Sequence, residues 1–302
     1  MIQKTKNFLN RKINNFERKL RRYTIVVNPK IYRASSAPFI SGDTFRKESN
    51  FVFDETMSFN PTDVEKNDKV FLKTDLKDIY FKTIHPNIKN QYILITHNSD
   101  ENITEHDIHN ADKKIIHWFA QNLSIPTNEK FSFLPIGFEN RRYINNGKIK
   151  NLKKANLINV EKKDKILSSF NVDTNFLVRN DLISMIDDFQ YIENKKFQTP
   201  EEYINKLSEY KFVLCPEGNG IDTHRIWEGL LTKTVPILIN SSFSQNLKKL
   251  NIPILILKNW SELKHLNDKN IYTTYKEFEN FEFEKFVTIS YWNKNINNKV
   301  VT

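Results

Sequence analysis

The sequence predicts an α/β protein built from two Rossmann-like domains that face each other across a cleft. Two observations lead there. From Tyr23 onward short apolar runs alternate with helical stretches, the pattern of sheets with largely parallel strands. A stretch at residues 141–165, rich in Lys and Asn and poor in large apolar residues, divides that alternation into two series. At 302 residues the chain can hold a core in each.

The first element, residues 1–22, reads as a basic amphipathic helix. Lys4, Lys6, Arg11, Lys12, Arg18, Lys19, Arg21 and Arg22 are opposed by Glu17 alone, while Ile2, Phe8, Leu9, Ile13, Phe16 and Leu20 recur at helical spacing. Such a helix can lie in an anionic membrane surface or pack on the protein's own surface, and both readings stand. Strands are expected at residues 23–27, 51–53, 69–72, 92–96, 114–119 and 131–135, spaced as in a doubly wound sheet. They assign residues 23–150 to a first domain. The second series opens with a strand at 165–170 and a helix from about Asp181. A strand at 189–192 follows, then a helix capped by Thr199 with Pro200 at its first position. A strand at 212–215, a glycine loop, a helix at 222–231 and strands at 235–239 and 254–257 complete a second domain over 151–275. The last stretch, 276–302, reads as helical and is expected to return to the first domain.

Composition narrows the function classes. The formal net charge of +10 fits nucleic acid, anionic lipid or a phosphorylated substrate. No nucleic-acid reader motif is present, and the basic residues are scattered or gathered at the N-terminus, so nucleic acid is not the expected partner. A single cysteine, Cys215, gives no disulfide framework and no cysteine metal cluster. No run approaches the roughly 20 apolar residues of a membrane span, and the N-terminus lacks a signal-peptide core. A cytoplasmic location is expected, peripheral to the inner membrane face if residues 1–22 bind it.

The chemistry concentrates in residues 211–238, KFVLCPEGNGIDTHRIWEGLLTKTVPIL. Cys215, Pro216, Glu217, Gly218, Asn219 and Gly220 form a strand end and a turn-rich loop, and Asp222 or Thr223 can cap the helix that follows. Loop amides and a helix N-terminus make an anion site suited to a diphosphate. Arg225, in the first turn after His224, can pair with phosphate oxygens and stabilise a departing nucleoside diphosphate. Glu228, three residues on, can accept hydrogen bonds from ribose hydroxyls. The plainer alternative makes Arg225 and Glu228 a local ion pair and the glycines turn formers.

This segment resembles the signature of exostosin-type glycosyltransferases, in which a strand ending in Cys-Pro-x-Gly precedes a Ser- or Thr-containing turn, an Arg, a Glu and a Pro-containing strand. It also resembles, more weakly, the donor segment of α1,3-fucosyltransferases. The resemblance implies the GT-B arrangement and places Gly218, Asn219, Thr223, Arg225 and Glu228 in a donor nucleotide site, with Glu217, Gly220 and His224 completing the loop. The nucleotide sugar would be a co-substrate, and no bound cofactor is expected.

Upstream, Asn171, Thr174, Asn175 and Arg179 follow the first strand of the second domain and are further donor contacts, although turn and capping chemistry explains the Asn and Thr equally well. The first domain should bind the acceptor, a glycan or lipid-linked glycan, and supply a general base for inverting transfer. Asp43 in the turn Ser41-Gly42-Asp43-Thr44, and His97 or Asp100 after the strand at 92–96, are the candidates. Asn122, Glu139, Asn140 and Arg141 end further strands and are expected along the same cleft. No Asp-x-Asp motif occurs, and His106 with His109 reads as an exposed helix start, so transfer is expected to be metal-independent. A non-catalytic nucleotide- or sugar-binding α/β protein remains the alternative.

Overall fold

The computed structural model describes residues 28, 32–267 and 270–300. The basic helix expected at 1–22 and the strand expected at 23–27 lie outside the described residues. The described residues form two sheets of five parallel strands each, the α/β architecture expected.

In the first, α1 (Gly42–Lys47) precedes β1 (Phe51–Phe53) and β2 (Lys69–Lys73), followed by α2 (Lys77–Thr83), β3 (Tyr92–His97), β4 (Ile115–Ala120) and β5 (Phe131–Phe133). Every residue of β3 is buried, as expected of a central parallel strand covered on both faces. The strand order is β1-β2-β3-β4-β5. Among the described strands of this sheet the order never reverses. The carboxyl ends of the sheet are shaped by left-handed residues. Asn98 (φ 60°) follows β3, Asn122 (φ 52°) follows β4 and Gly137 (φ 67°) follows β5, each turning the chain sharply towards the cleft side of the sheet.

The connection contains α3 (Ile149–Ala155). The second sheet comprises β6 (Lys163–Ser168), β7 (Ile192–Asn194), β8 (Tyr210–Leu214), β9 (Val235–Ile239) and β10 (Leu255–Leu257), with α4 (Phe176–Ile186), α5 (Pro200–Leu207), α6 (His224–Leu231) and α7 (Ser242–Lys249) between them. Its order, β10-β9-β8-β6-β7, reverses between β6 and β8. In open α/β sheets such a reversal opens the crevice where ligands bind. Thr199 caps α5 as expected, accepting from Glu202 N at 3.1 Å. Helix α4 begins at Phe176, five residues before the expected start, and β7 begins where the expected strand ends. Phe189 and Tyr191 stack on each other in the turn before it.

Two helices follow, α8 (Ile271–Lys276) and α9 (Ile289–Asn297). The chain between them returns to the first domain: Ile40 N donates to Val287 O (3.1 Å) and Ile289 N to Pro38 O (2.9 Å). The side chain of Asn293 donates to Glu48 (2.9 Å). Phe133 of β5 packs against Trp227 of α6, Phe243 of α7 and Trp292 of α9, with centroids 6.1, 5.3 and 6.0 Å away. The two domains and the C-terminal helix thus share one aromatic core.

Candidate functional site

At the switch point, β6 ends in Ser168 and the loop from Ser169, while β8 ends in Leu214 and the loop from Cys215. Cys215 is buried, and burial pushes its thiol up to about 12, so it is no nucleophile at neutral pH. Arg179 of α4 ties the two loops together. It donates from Nε to Glu217 O (2.8 Å), from Nη2 to Pro216 O (3.1 Å), and from Nη1 to Asn171 O (2.7 Å) and the Thr174 hydroxyl. Asn175 adds a bond from Nδ2 to Gly218 O (3.3 Å). The side chains expected as further donor contacts are therefore spent largely on holding backbone.

Arg225 is anchored differently. Its Nε donates to Ser169 O (2.8 Å) and the guanidinium lies 5.9 Å from the Phe170 ring centre. Neither Nη group has a hydrogen-bond partner among the described residues. Nor does Arg225 form the local ion pair with Glu228 that the plainer reading required. Thr223 occupies the N-cap of α6, yet its hydroxyl makes no capping bond and is buried without a partner. The buried Tyr203 hydroxyl of α5 lies beside Glu228, close enough to couple with it but without hydrogen-bond alignment. Burial raises the Glu228 pKa, against the pull of His224 and Arg225. Buried polar atoms are nearly always paired in folded proteins. Here the buried, unpaired Thr223 hydroxyl gathers with the Nη groups of half-buried Arg225, the first α6 amides and an acidic side chain around one crevice, an arrangement chemically suited to a diphosphate attached to a diol.

Asp222, expected as a cap, instead joins the domains. It accepts from Ile136 N (2.7 Å) and from Trp227 Nε1 (2.9 Å), while its own amide donates to Asn122 Oδ1 (3.0 Å). Burial pushes its pKa up to about 7. Gly220 lies under Asn122, where an added Cβ would stand 2.7 Å from Nδ2. Asn219 Nδ2 donates to Asp100 Oδ2 (3.1 Å), so the donor loop touches the first domain at its tip as well.

Between the domains lies a cavity of about 650 Å³, with Gly42, Lys73, Asn98, Asp100, Glu139 and Arg142 on one side and His224 on the other. The three base candidates fare differently around it. Asp43 is buried one layer behind the wall: Oδ1 accepts from Arg33 Nη1 (2.7 Å) and Asn98 Nδ2 (3.2 Å), and Oδ2 is unpartnered. His97 has both ring nitrogens engaged, donating from Nε2 to Pro135 O (2.9 Å) and accepting at Nδ1 from Asn98 N (2.7 Å). Burial pushes its pKa down to about 4. Asp100 is exposed on the cavity wall and held by Asn219.

Glu139 and His224 meet across the cavity, with Oε2 and Nε2 3.6 Å apart. His224 Nδ1 donates to Gly137 O (2.7 Å), which leaves Nε2 towards Glu139. Burial opposes a rise in the His224 pKa, but Glu139 and then the Gly137 carbonyl prevail and raise it. His106 and His109 sit in an exposed 3-10 turn capped by Thr104, and no group of three or more metal-ligating side chains occurs among the described residues. Sequence reasoning placed Glu139 only along the cleft and gave Tyr203 no role. A Tyr in a helix preceding the glycine-loop strand was the available signal, too common to single out.

Among known proteins, the family described as RXYLT1 C-terminal domain matches residues 160–299, the stretch that holds the second sheet and the switch point and a little under half of the chain. No curated protein sequence matches. Two of the solved structures that resemble the chain do so at low identity. One is the pneumococcal O-GlcNAc transferase GtfA in complex with UDP and GlcNAc, with 11% identity, a TM-score of 0.37 and coverage of 80% of this chain and 58% of that one. The other is TarM, with 16% identity, a TM-score of 0.38 and coverage of 77% and 55%. The chain spans little more than half the length of either structure.

Proposed function

We propose that this protein transfers a sugar from a nucleotide-sugar donor to a glycan acceptor, with the nucleotide seated at the β6/β8 switch point. The observation that carries this reading is the Arg225 guanidinium: anchored through Nε at the reversal, it keeps both Nη groups without hydrogen-bond partners among the described residues, beside a helix N-terminus with no side-chain cap. A fork of that kind binds phosphate oxygens bidentately and offsets the charge that builds as the diphosphate leaves. Glu228, with Tyr203 behind it, takes the ribose hydroxyls. The likeness of residues 160–299 to the RXYLT1 C-terminal domain, a glycosyltransferase-related family, supports sugar transfer. The cavity receives the acceptor, a surface polysaccharide or lipid-linked oligosaccharide. Transfer proceeds with inversion and without a metal, Arg225 and the α6 amides meeting the phosphate charge. Residues 1–22 hold the enzyme at the anionic inner face of a membrane. No helix among the described residues is long and apolar enough to cross one.

A thermal-shift screen of nucleoside diphosphates and nucleotide sugars tests the donor site. One nucleoside diphosphate should raise Tm, and Arg225→Ala should abolish the rise. A wild type indifferent to every nucleotide overturns the reading.

A further inference from the structure

We propose that Glu139 is the general base of the transfer, held at the reacting face by His224 from the opposite domain. This rests on the donor reading of the switch point. Geometry separates Glu139 from the other carboxylates near the cavity. Asp43 lies behind the wall on Arg33, Asp75 is paired with Lys73 (2.8 Å) and the Ser99 hydroxyl, Asp100 is held by Asn219, and Glu101 faces Lys77 (3.5 Å). In Glu139, Oε1 accepts from Asn140 N (3.0 Å), while Oε2 has only His224 Nε2 at 3.6 Å, too long to consume its lone pair. His224 in turn is fixed by its bond to the Gly137 carbonyl and is the first residue of α6, directly before Arg225. Glu139, on the cavity wall with one oxygen free of hydrogen bonds, therefore lies against the very turn that carries the leaving-group arginine. Transfer then requires a sugar whose diphosphate is held by Arg225 to present its anomeric carbon towards Glu139.

The step balances as follows. The acceptor hydroxyl gives its proton to Glu139 Oε2 as its oxygen forms a bond to the anomeric carbon. The bond from that carbon to the phosphate oxygen breaks on the opposite face, and its electron pair leaves with the nucleoside diphosphate, whose charge meets Arg225 and the α6 amides. Glu139 then loses its proton to water.

Release of nucleoside diphosphate from a panel of nucleotide sugars, with water as acceptor, reads the step without the natural glycan. Glu139→Gln should lower kcat by about 100-fold or more while leaving the affinity for the nucleoside diphosphate unchanged. In Glu139→Ala, added sodium formate should restore turnover by supplying a carboxylate to the emptied space. Unchanged kcat in Glu139→Gln, a loss that formate cannot restore, or retained anomeric configuration in the product would each overturn the assignment while the donor reading stands. A wild type that binds no nucleoside diphosphate overturns the donor reading itself, and one that binds but never turns over refutes catalysis altogether.

Discussion

Arg179 and Arg225 carry the same group to the same crevice and put it to opposite uses. Arg179 is buried with its donors on the carbonyls of both loops; Arg225 keeps two nitrogens without partners among the described residues. Arg179→Ala should therefore destabilise the protein by about 3 kcal/mol, because it strands buried carbonyls. Arg225→Ala should stay within about 0.5 kcal/mol of wild type while losing nucleotide binding. Urea denaturation of the two variants decides this, and equal losses would contradict the division of labour. Histidines set the acid limit. His97 and His117 have pKa values pushed down to about 4 by burial, below the unfolded value of 6.5. The unfolded chain thus binds protons first, so stability present above pH 6.5 is lost as pH falls towards 4, on the order of 3 kcal/mol for a fully buried group. Tm should drop over that window, and His97→Gln should flatten the drop.

At the scale of elements, the strands were legible because parallel strands covered on both faces are short apolar runs, and β9 matched its expected bounds at both ends. The order of the first sheet was not, since periodicity identifies a strand but not its neighbours. The start of α4 was hidden because Phe176, Leu177 and Val178 are apolar yet exposed, which erases the amphipathic signal. The glycine-loop segment could be singled out because it is contiguous in the sequence. Glu139, Tyr203 and Asp222 could not be given their roles, because their partners (His224, Glu228 and Ile136) come from other elements. Gly220 tests how strictly the loop depends on such distant contacts. Gly220→Ala places a Cβ against Asn122, which itself donates to Ser99 O (3.2 Å) and accepts from Asp222 N. A loss of about 1–3 kcal/mol is expected, with weaker nucleotide binding, measured by denaturation and titration. An unperturbed variant would mean that Asn122 can swing away without consequence.

Across the whole molecule, what joins the two sheets is one continuous seam. Its apolar part is Phe133 with Trp227, Phe243 and Trp292. The polar part is Asp222 on Ile136 N, His224 on Gly137 O, and Asn246, which accepts from Thr127 N (2.8 Å) and donates to Ile125 O (2.8 Å). Trp292 belongs to the C-terminal helix, so α9 fastens the seam from outside both sheets, its indole N–H donating to Phe286 O (2.8 Å). Trp292→Ala removes a fully buried ring that touches both domains and strands the Phe286 carbonyl. The expected cost is about 3–5 kcal/mol. Because the lost contacts are those between the two sheets, the wild type is expected to melt in one transition in calorimetry and the variant in two, its halves melting apart. Nucleotide binding, which needs only the second sheet and its loops, should survive at temperatures below the first transition. Turnover should fall, because Glu139 comes from one half and Arg225 from the other. A variant that melts in one step at the wild-type midpoint, or that keeps full turnover, would show that the polar seam alone sets the geometry of the cleft.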